Sequence, residues 1–349
     1  MLIANRYQVE AGVQSGGMSS VVFCMDTHLN RRVAVKFLQA GVDEGRLLDE
    51  QRALLRLRSK HVVQLFDIVQ VPGPACALPS LVLEFIDGKD LQAESFTFGE
   101  GYLHTLWQVA CGLADVHQEG VVHRDVKLNN VRVDKEGVVK ILDFGLSRAT
   151  ETASTRSVIG SPPFMAPELW SSSTISFSSA VDVYAFGILA VALISTDLPE
   201  SLLAHPPQGC SREELSSTLH AVSPETIDLI FECLSYGSLD RPSMQSVRER
   251  LERSLLKGKH RANVVLDGKL HVLNQVNNSI HLRANVGELE VGYDGFDFKV
   301  LKVGGSVFVN NGVAVVGMVI PGCCVLTFGA VGGARKFVTF DVSSPEVLS

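Results

Sequence analysis

His123-Arg124-Asp125-Val126-Lys127-Leu128-Asn129-Asn130 is followed thirteen residues later by Asp143-Phe144-Gly145, and then by Ala166-Pro167-Glu168. The first stretch sets a carboxylate, a lysine two positions on and an amide three beyond that; the second adds another carboxylate. Moving a phosphoryl group takes little covalent chemistry and much positioning and charge neutralisation, so a lysine among oxygen donors able to hold Mg²⁺ is the expected residue set. Any one of the three segments alone is weak. Their order and gaps together are specific.

Composition bounds the rest. A chain of 349 residues, 46% hydrophobic, can bury one large core and a smaller one. Seven cysteines at irregular spacings suggest neither a disulfide framework nor a zinc site, so reduced thiols are expected. Cys323 and Cys324 are adjacent and read as strand residues facing opposite sides. A net charge of -7 and a pI near 5.8 argue against nucleic acid as a partner of the whole molecule. No basic and apolar signal region precedes Arg6-Tyr7-Gln8-Val9, which points to a cytoplasmic location. Val313–Gly333 carries no charge and is long enough to span a bilayer, but Pro321, its glycines and its valines favour short strands and no membrane partner.

Residues 1 to about 90 alternate apolar and polar in strand-like runs, among them Arg32-Val33-Ala34-Val35-Lys36-Phe37. One amphipathic helix is expected within them, from Leu47 to Leu57. Strands are expected again at Val62–Val71 and Leu81–Phe85, and helices at Tyr102–His117 and Val181–Ile194. The helical pattern ends in Gln245–Leu256, and 257–261 reads as a linker. From about 262 to 349, Val, Leu and Phe alternate between Gly and Asn, the pattern of an all-β domain. There Ser306–Val309 and Val313–Val316 flank Asn310-Asn311-Gly312, a hairpin signal.

These segments together resemble the Hanks-type serine/threonine protein kinases of bacteria, over about Arg6 to Leu256. The resemblance implies an α+β fold: a bilobal kinase domain at 1–256, with an N-lobe to about 86 and a C-lobe from 87, followed by a small sandwich-like β domain at 262–349. It implies that Asp125 is the base, that Lys127 neutralises the phosphoryl group and that Asn130 and Asp143 hold Mg²⁺. Lys36 would grip the ATP phosphates and pair with Glu50. Leu83 would be the gatekeeper, with backbone groups of Glu84 and Phe85 on adenine and Ala34 and Val21 beside it. Asp182 resembles the buried aspartate that braces the catalytic loop, and Arg241 the arginine that pairs with Glu168.

The phosphate-covering loop departs from the family's pattern. Gln14-Ser15-Gly16-Gly17-Met18-Ser19-Ser20-Val21 aligns with G-x-G-x-x-G-x-V, but Gln14 and Ser19 replace two glycines, which loosens backbone approach to phosphate. Lys127 follows the serine/threonine pattern. Arg124, directly before the catalytic aspartate, implies a phosphorylated activation segment; Arg148 would complete the phosphate pocket and Thr155 would be the site, the kinase phosphorylating itself. The β domain is faintly similar to the second half of a forkhead-associated domain through Gly305-Ser306, Asn310-Asn311-Gly312, Ile320-Pro321-Gly322 and Leu326–Gly329, with Arg283 as the stand-in for its phosphate-binding arginine.

The expected function is thus transfer of the γ-phosphate of Mg-ATP to protein Ser/Thr hydroxyls. The rivals are a nucleotide-binding pseudokinase, motivated by Gln14 and Ser19, and a phospho-dependent binding protein acting through the β domain. A homodimer through that domain is a further alternative.

Overall fold

The computed structural model describes residues 1–15, 19–38, 45–72, 77–149, 154–155, 164–170, 175–176 and 178–348. It divides into two compact units, 1–251 and 252–348.

The first unit begins with an antiparallel sheet. Its strands are β1 (Leu2–Ile3), β2 (Tyr7–Ser15), β3 (Ser19–Asp26), β4 (Arg31–Leu38), β5 (Leu65–Pro72) and β6 (Ala77–Glu84), in the order β1-β2-β3-β4-β6-β5. Period-two alternation decides its faces. Val33 and Val35 of β4 join Val22, Cys24, Val69 and Val82 in a core on one side. The intervening Ala34 and Lys36 lie on the other side, where the register sets Lys36 opposite Val21 on β3 and Leu81 on β6, and Ala34 opposite Leu83. Helix α1 (Gly45–Arg56) packs on this side; its register buries Leu47, Glu50, Ala53 and Leu54 while Leu48 and Leu55 stay exposed.

The helical part of the unit is centred on α3 (Ala180–Ala192), which is buried from Val181 to Ala192 and apolar all round apart from Asp182 and Tyr184. Before it come β7 (Gly88–Asp90), α2 (Glu100–Gln118), β8 (Val121–Val122), β9 (Val131–Asp134) and β10 (Val139–Ile141), the strands β7, β9 and β10 forming a small sheet. The Tyr102 hydroxyl of α2 donates to the Ala190 carbonyl at 2.8 Å. After β11 (Arg148–Ala149), β12 (Ser154–Thr155) pairs with β13 (Ile175–Ser176). Helices α4 (Glu200–Leu203), α5 (Arg212–Thr218), α6 (Pro224–Cys233) and α7 (Met244–Leu255) complete the series. A capping box between Ser211 and Glu214 starts α5, and Ser223 followed by Pro224 starts α6. Gly187 lets α3 approach the end of α6, where a Cβ would stand 2.8 Å from Leu234 Cδ2.

The second unit holds two antiparallel sheets. The larger runs β15 (Lys269–Leu273), β14 (Ala262–Leu266), β22 (Lys336–Val342), β21 (Cys324–Phe328), β19 (Val307–Val309), β20 (Gly312–Val313); the smaller runs β16 (Ser279–Ala284), β17 (Gly287–Tyr293), β18 (Phe298–Gly305). Alternate residues of both, including Leu282, Leu289, Val291, Leu326, Phe328 and Phe340, share one core. The β19–β20 hairpin turns at Asn310 and Asn311, both at positive φ (46° and 68°). Its second strand is shorter than the sequence suggests, pairing only through Gly312 and Val313, and by Val315 the chain has entered a turn in which the Met318 amide donates to the Val315 carbonyl at 3.1 Å. Cys323 is exposed and Cys324 buried, as alternation requires. The uncharged stretch 313–333 is strand and turn, and no helix among the described residues is long and apolar enough to cross a membrane.

Two buried charges organise the helical part: Asp182 ties it to the His123-Arg124 segment and Arg241 ties Glu168 to the start of α3 and the end of α6. Asp182 accepts the amides of His123 and Arg124, each at 2.8 Å, and the His117 ring Nε2 at 2.9 Å. Burial alone would raise its carboxyl; the His117 ring and the Arg124 amide outweigh it and hold the group below the ordinary range. Arg241 donates to both Glu168 oxygens at 2.7 and 2.9 Å, and to the carbonyls of Ala180, Ser235 and Tyr236.

Two outcomes follow. Arg241→Ala should lower stability by about 3 kcal/mol, since it strands a carboxylate and several carbonyls; chemical denaturation checks this. The lowered Asp182 carboxyl contributes stability that is complete above its unfolded value, near pH ~4, and is lost as pH falls through the folded one. Asp182→Asn should therefore unfold with a flatter acid limb than the parent in thermal melts between pH 7 and 3.

Candidate active site

The side of the first sheet that carries Ala34 and Lys36 brings Lys36 to α1 and to the Asp143 turn. Lys36 Nζ lies 2.7 Å from both Glu50 oxygens and 2.7 Å from Asp143 Oδ1. Burial would lower the Lys36 ammonium, but Glu50 and Asp143 raise it above its ordinary value, so it stays charged. Asp143 is held down at about 2: burial pushes it up, and Lys36 together with the Gly145 amide overcomes that. Glu50 is raised, because its burial outweighs the pull of Lys36 and the Asp143 charge adds to it. Gly145 permits the tight turn: a Cβ there would stand 3.2 Å from Asp143 Oδ1 and 3.6 Å from Glu50 Oε2.

The second cluster sits on the loop after β8. Lys127 Nζ is 2.7 Å from Asp125 Oδ2, and Asn130 Nδ2 donates to the same oxygen at 2.9 Å and to the Asp125 carbonyl at 2.8 Å. That leaves the Asn130 Oδ1 as its atom for a metal. Arg124 and Asp143 both stand at positive φ, 71° and 60°. Such backbone costs roughly 1–3 kcal/mol per residue and concentrates where function fixes it. His123 connects the two clusters. Its Nδ1 accepts the Asp125 amide at 3.3 Å, so the proton is on Nε2, which donates to the Leu142 carbonyl at 2.9 Å. The ring meets Phe144 edge-on at 4.6 Å, and Phe144 is wholly buried, which turns Asp143 toward Lys36.

Asp143 and Asn130 offer hard oxygen donors of the kind Mg²⁺ takes. Among the described residues no group of three or more His, Cys, Asp or Glu side chains could cage a metal, so phosphate oxygens and water would have to complete the shell.

Of the residues expected on ATP, Val21, Ala34, Lys36 and Leu83 share one sheet face and Glu50 reaches it. Gln14 and Ser15 are described by backbone only: they continue β2 opposite Val21 and Ser20. Gly16, Gly17 and Met18 lie outside the described residues. At the end of β6 the Glu84 N–H is already donated to the Gln64 carbonyl at 2.8 Å, so that amide is taken up within the protein. The Phe85 ring meets Phe23 edge-on at 5.2 Å beneath the Arg32 guanidinium, 3.9 Å above it. Arg148 and Thr155 are placed by backbone in β11 and β12; Thr150, Thr152 and Ser157 lie outside the described residues.

Sequence reasoning missed His117, Gln64 and Lys140. Lys140 Nζ lies 2.9 Å from Glu84 Oε1, an ion pair between residues 56 positions apart that no local pattern announces. The lysine's place three residues before Asp143 was the one available signal.

Comparison with known proteins identifies the family. A family model described as Protein kinase domain covers residues 7–251. The chain is 30% identical over 213 residues to the probable serine/threonine-protein kinase pknA2 of Bifidobacterium longum, across 57% of this chain and 27% of that protein. It is 32% identical over 257 residues to the serine/threonine-protein kinase PknL of Mycobacterium tuberculosis, across 69% and 63%. It is 32% identical over 211 residues to the serine/threonine-protein kinases drp72 of Corynebacterium efficiens, across 57% and 40%. Several relatives are much longer, the chain spanning 27% to 31% of three of them. The match takes in both clusters and every strand of the first sheet from β2 on, and the chain belongs to the protein kinase family.

Proposed function

We propose that the chain transfers the γ-phosphoryl group of ATP to serine or threonine hydroxyls of proteins. One observation carries the reading: Lys36, Glu50 and Asp143 meet within 2.7 Å contacts, and a second carboxylate, Asp125, stands with Lys127 and Asn130 on the adjoining loop. Lys36, held charged by Glu50, grips the phosphates. Asp125 accepts the proton as the substrate hydroxyl oxygen bonds to the γ-phosphorus, the bond to the β-phosphate oxygen breaks, and Lys127 neutralises charge on the equatorial oxygens. Mg²⁺, when bound, supplies neutralisation of the β- and γ-phosphate oxygens; Asp143 and Asn130 would hold it. Intact Lys36, Asp125 and Asp143 favour this over a pseudokinase, and Lys127 and the names of the relatives favour serine and threonine. Substrates are taken to be cytoplasmic proteins, with no nucleic-acid partner.

Autophosphorylation of the activation segment is part of the proposal, with Thr155 as the acceptor and Arg124 and Arg148 as the cationic pocket for its phosphate. The 252–348 unit supports a second, phospho-dependent binding role of the forkhead-associated kind: Arg283 lines an open cavity of about 610 Å³ with Lys269, His271 and His281. The same unit would carry any homodimer contact.

Lys36→Met and Asp125→Asn should each cut phosphate transfer from Mg-ATP to a generic protein substrate by about 10²-fold or more in a chain that still folds cooperatively, with Lys36→Met also lowering the melting temperature because it leaves the buried Glu50 carboxylate without its cation. Activity within a few-fold of the parent in either variant would defeat the assignment. Mass spectrometry after incubation with Mg-ATP should find phosphate on Thr155, and Thr155→Ala should lower activity; a fully active, unmodified segment would remove Thr155 from the proposal. Binding of a phosphothreonine peptide by the full chain, lost in Arg283→Gln, tests the second role.

A further inference from the structure

Residues 140–143 are tied to the first sheet at both ends. At one end Asp143 meets Lys36 of β4; at the other Lys140 meets Glu84 of β6, and β4 and β6 are paired neighbours. The charges alternate, lysine on strand with aspartate on the segment, then glutamate on strand with lysine on the segment. The second pair is well built. Lys140 Nζ reaches both Glu84 oxygens, at 2.9 and 3.0 Å, and the two side chains are only 11% and 24% exposed. Glu84 Oε2 also accepts the Gln64 amide at 3.2 Å, and the Gln64 carbonyl takes the Glu84 amide.

Between the two ends every residue is held by its backbone. Lys140 pairs with Arg132 of β9; Ile141 exchanges hydrogen bonds with His61 and Val63, at 2.8 and 3.0 Å; and the Leu142 amide donates to the Asn130 carbonyl at 2.8 Å while its carbonyl takes His123 Nε2. A displacement of Lys140 is therefore passed along the segment to Asp143, which is itself strained at φ 60°. The backbone bonds hold the path of the segment, and the two ion pairs attach it to side chains of the first sheet.

We propose that Lys140 is a positioning residue for nucleotide and metal: through Glu84 it fixes the orientation of the Asp143 carboxylate relative to the adenine-facing end of β6. The inference rests on the function proposed above. Lys140→Met leaves the partly buried Glu84 carboxylate without its cation and so lowers stability as well, whereas the double change removes both charges and that penalty with them; the placement effect is the loss of nucleotide binding beyond what the melting temperature accounts for.

The test uses the full chain carrying Lys140→Met, Lys140→Arg, Glu84→Gln or the double change Glu84→Gln/Lys140→Met. Calorimetric binding of Mg-ADP, KM for ATP and kcat, and the melting temperature are read together. Lys140→Met should weaken Mg-ADP binding and raise KM by about tenfold, the scale of one charge-assisted hydrogen bond. Lys140→Arg, which keeps the contact, should return to within about threefold of the parent. The double variant should be no worse than the worse single one. Unchanged nucleotide affinity in Lys140→Met, strictly additive effects, or affinity lost only in step with the melting temperature would overturn the inference. If Lys140→Met fails to fold, Lys140→Gln and Glu84→Gln give the same reading. Nucleotide binding separates the two hypotheses: a parent chain that binds Mg-ADP but transfers nothing defeats the kinase reading, and the binding series still decides the role of Lys140.

Discussion

The Asp182 carboxylate is the constraint on which the helical part of the first unit depends. It carries a charge into the apolar α3, where it is buried, and its two oxygens take two consecutive backbone amides and one imidazole. Arg124, the second of the two residues whose amides it takes, stands at φ 71°, so the chain turns sharply as it leaves the carboxylate. The loop is thus bent by an anion below it. Asp125, Lys127 and Asn130 project from the far side of that bend. Removal of the anion would free the loop to relax by the roughly 1–3 kcal/mol stored in such a backbone.

The same economy governs the Asp143 turn. Phe144 fills a wholly buried position against His123, and Ser147 closes the turn with a 2.6 Å hydrogen bond to the Phe144 carbonyl. His123, by accepting from Asp125 and donating to Leu142, makes the two strained segments one object. Burial of one aromatic ring and the tautomer of one imidazole thereby set the mutual placement of the two carboxylates.

Much of this was legible in the sequence, and the reasons are physical. Asp125, Asn130 and Asp143 lie within one short stretch whose spacing is set by the loop between β8 and β10, so local order reported spatial order. Lys36 and Ala34 were readable because period two on β4 leaves no other choice of face. Lys140 was not readable, since its partner is supplied by a different part of the sheet. The Glu84 amide could not be assigned either, because strand pairing, and not residue type, decides which backbone groups are spent. The β19–β20 hairpin followed from the turn chemistry of Asn310 and Asn311, whereas the length of β20 depended on a turn at Val315–Met318 that the valine run conceals.

The hydrogen bond from Tyr102 to Ala190 bears on how the chain is made. Helix α2 is buried along most of its length, yet α3, which covers it, is synthesised some sixty residues later, and the two termini of this contact are 88 residues apart. On the ribosome, at roughly 5–20 residues per second, the apolar side of α2 waits several seconds for its cover. During that interval the nascent chain carries an open hydrophobic surface beside a finished sheet, the state in which holding chaperones engage and in which a stalled or truncated product aggregates.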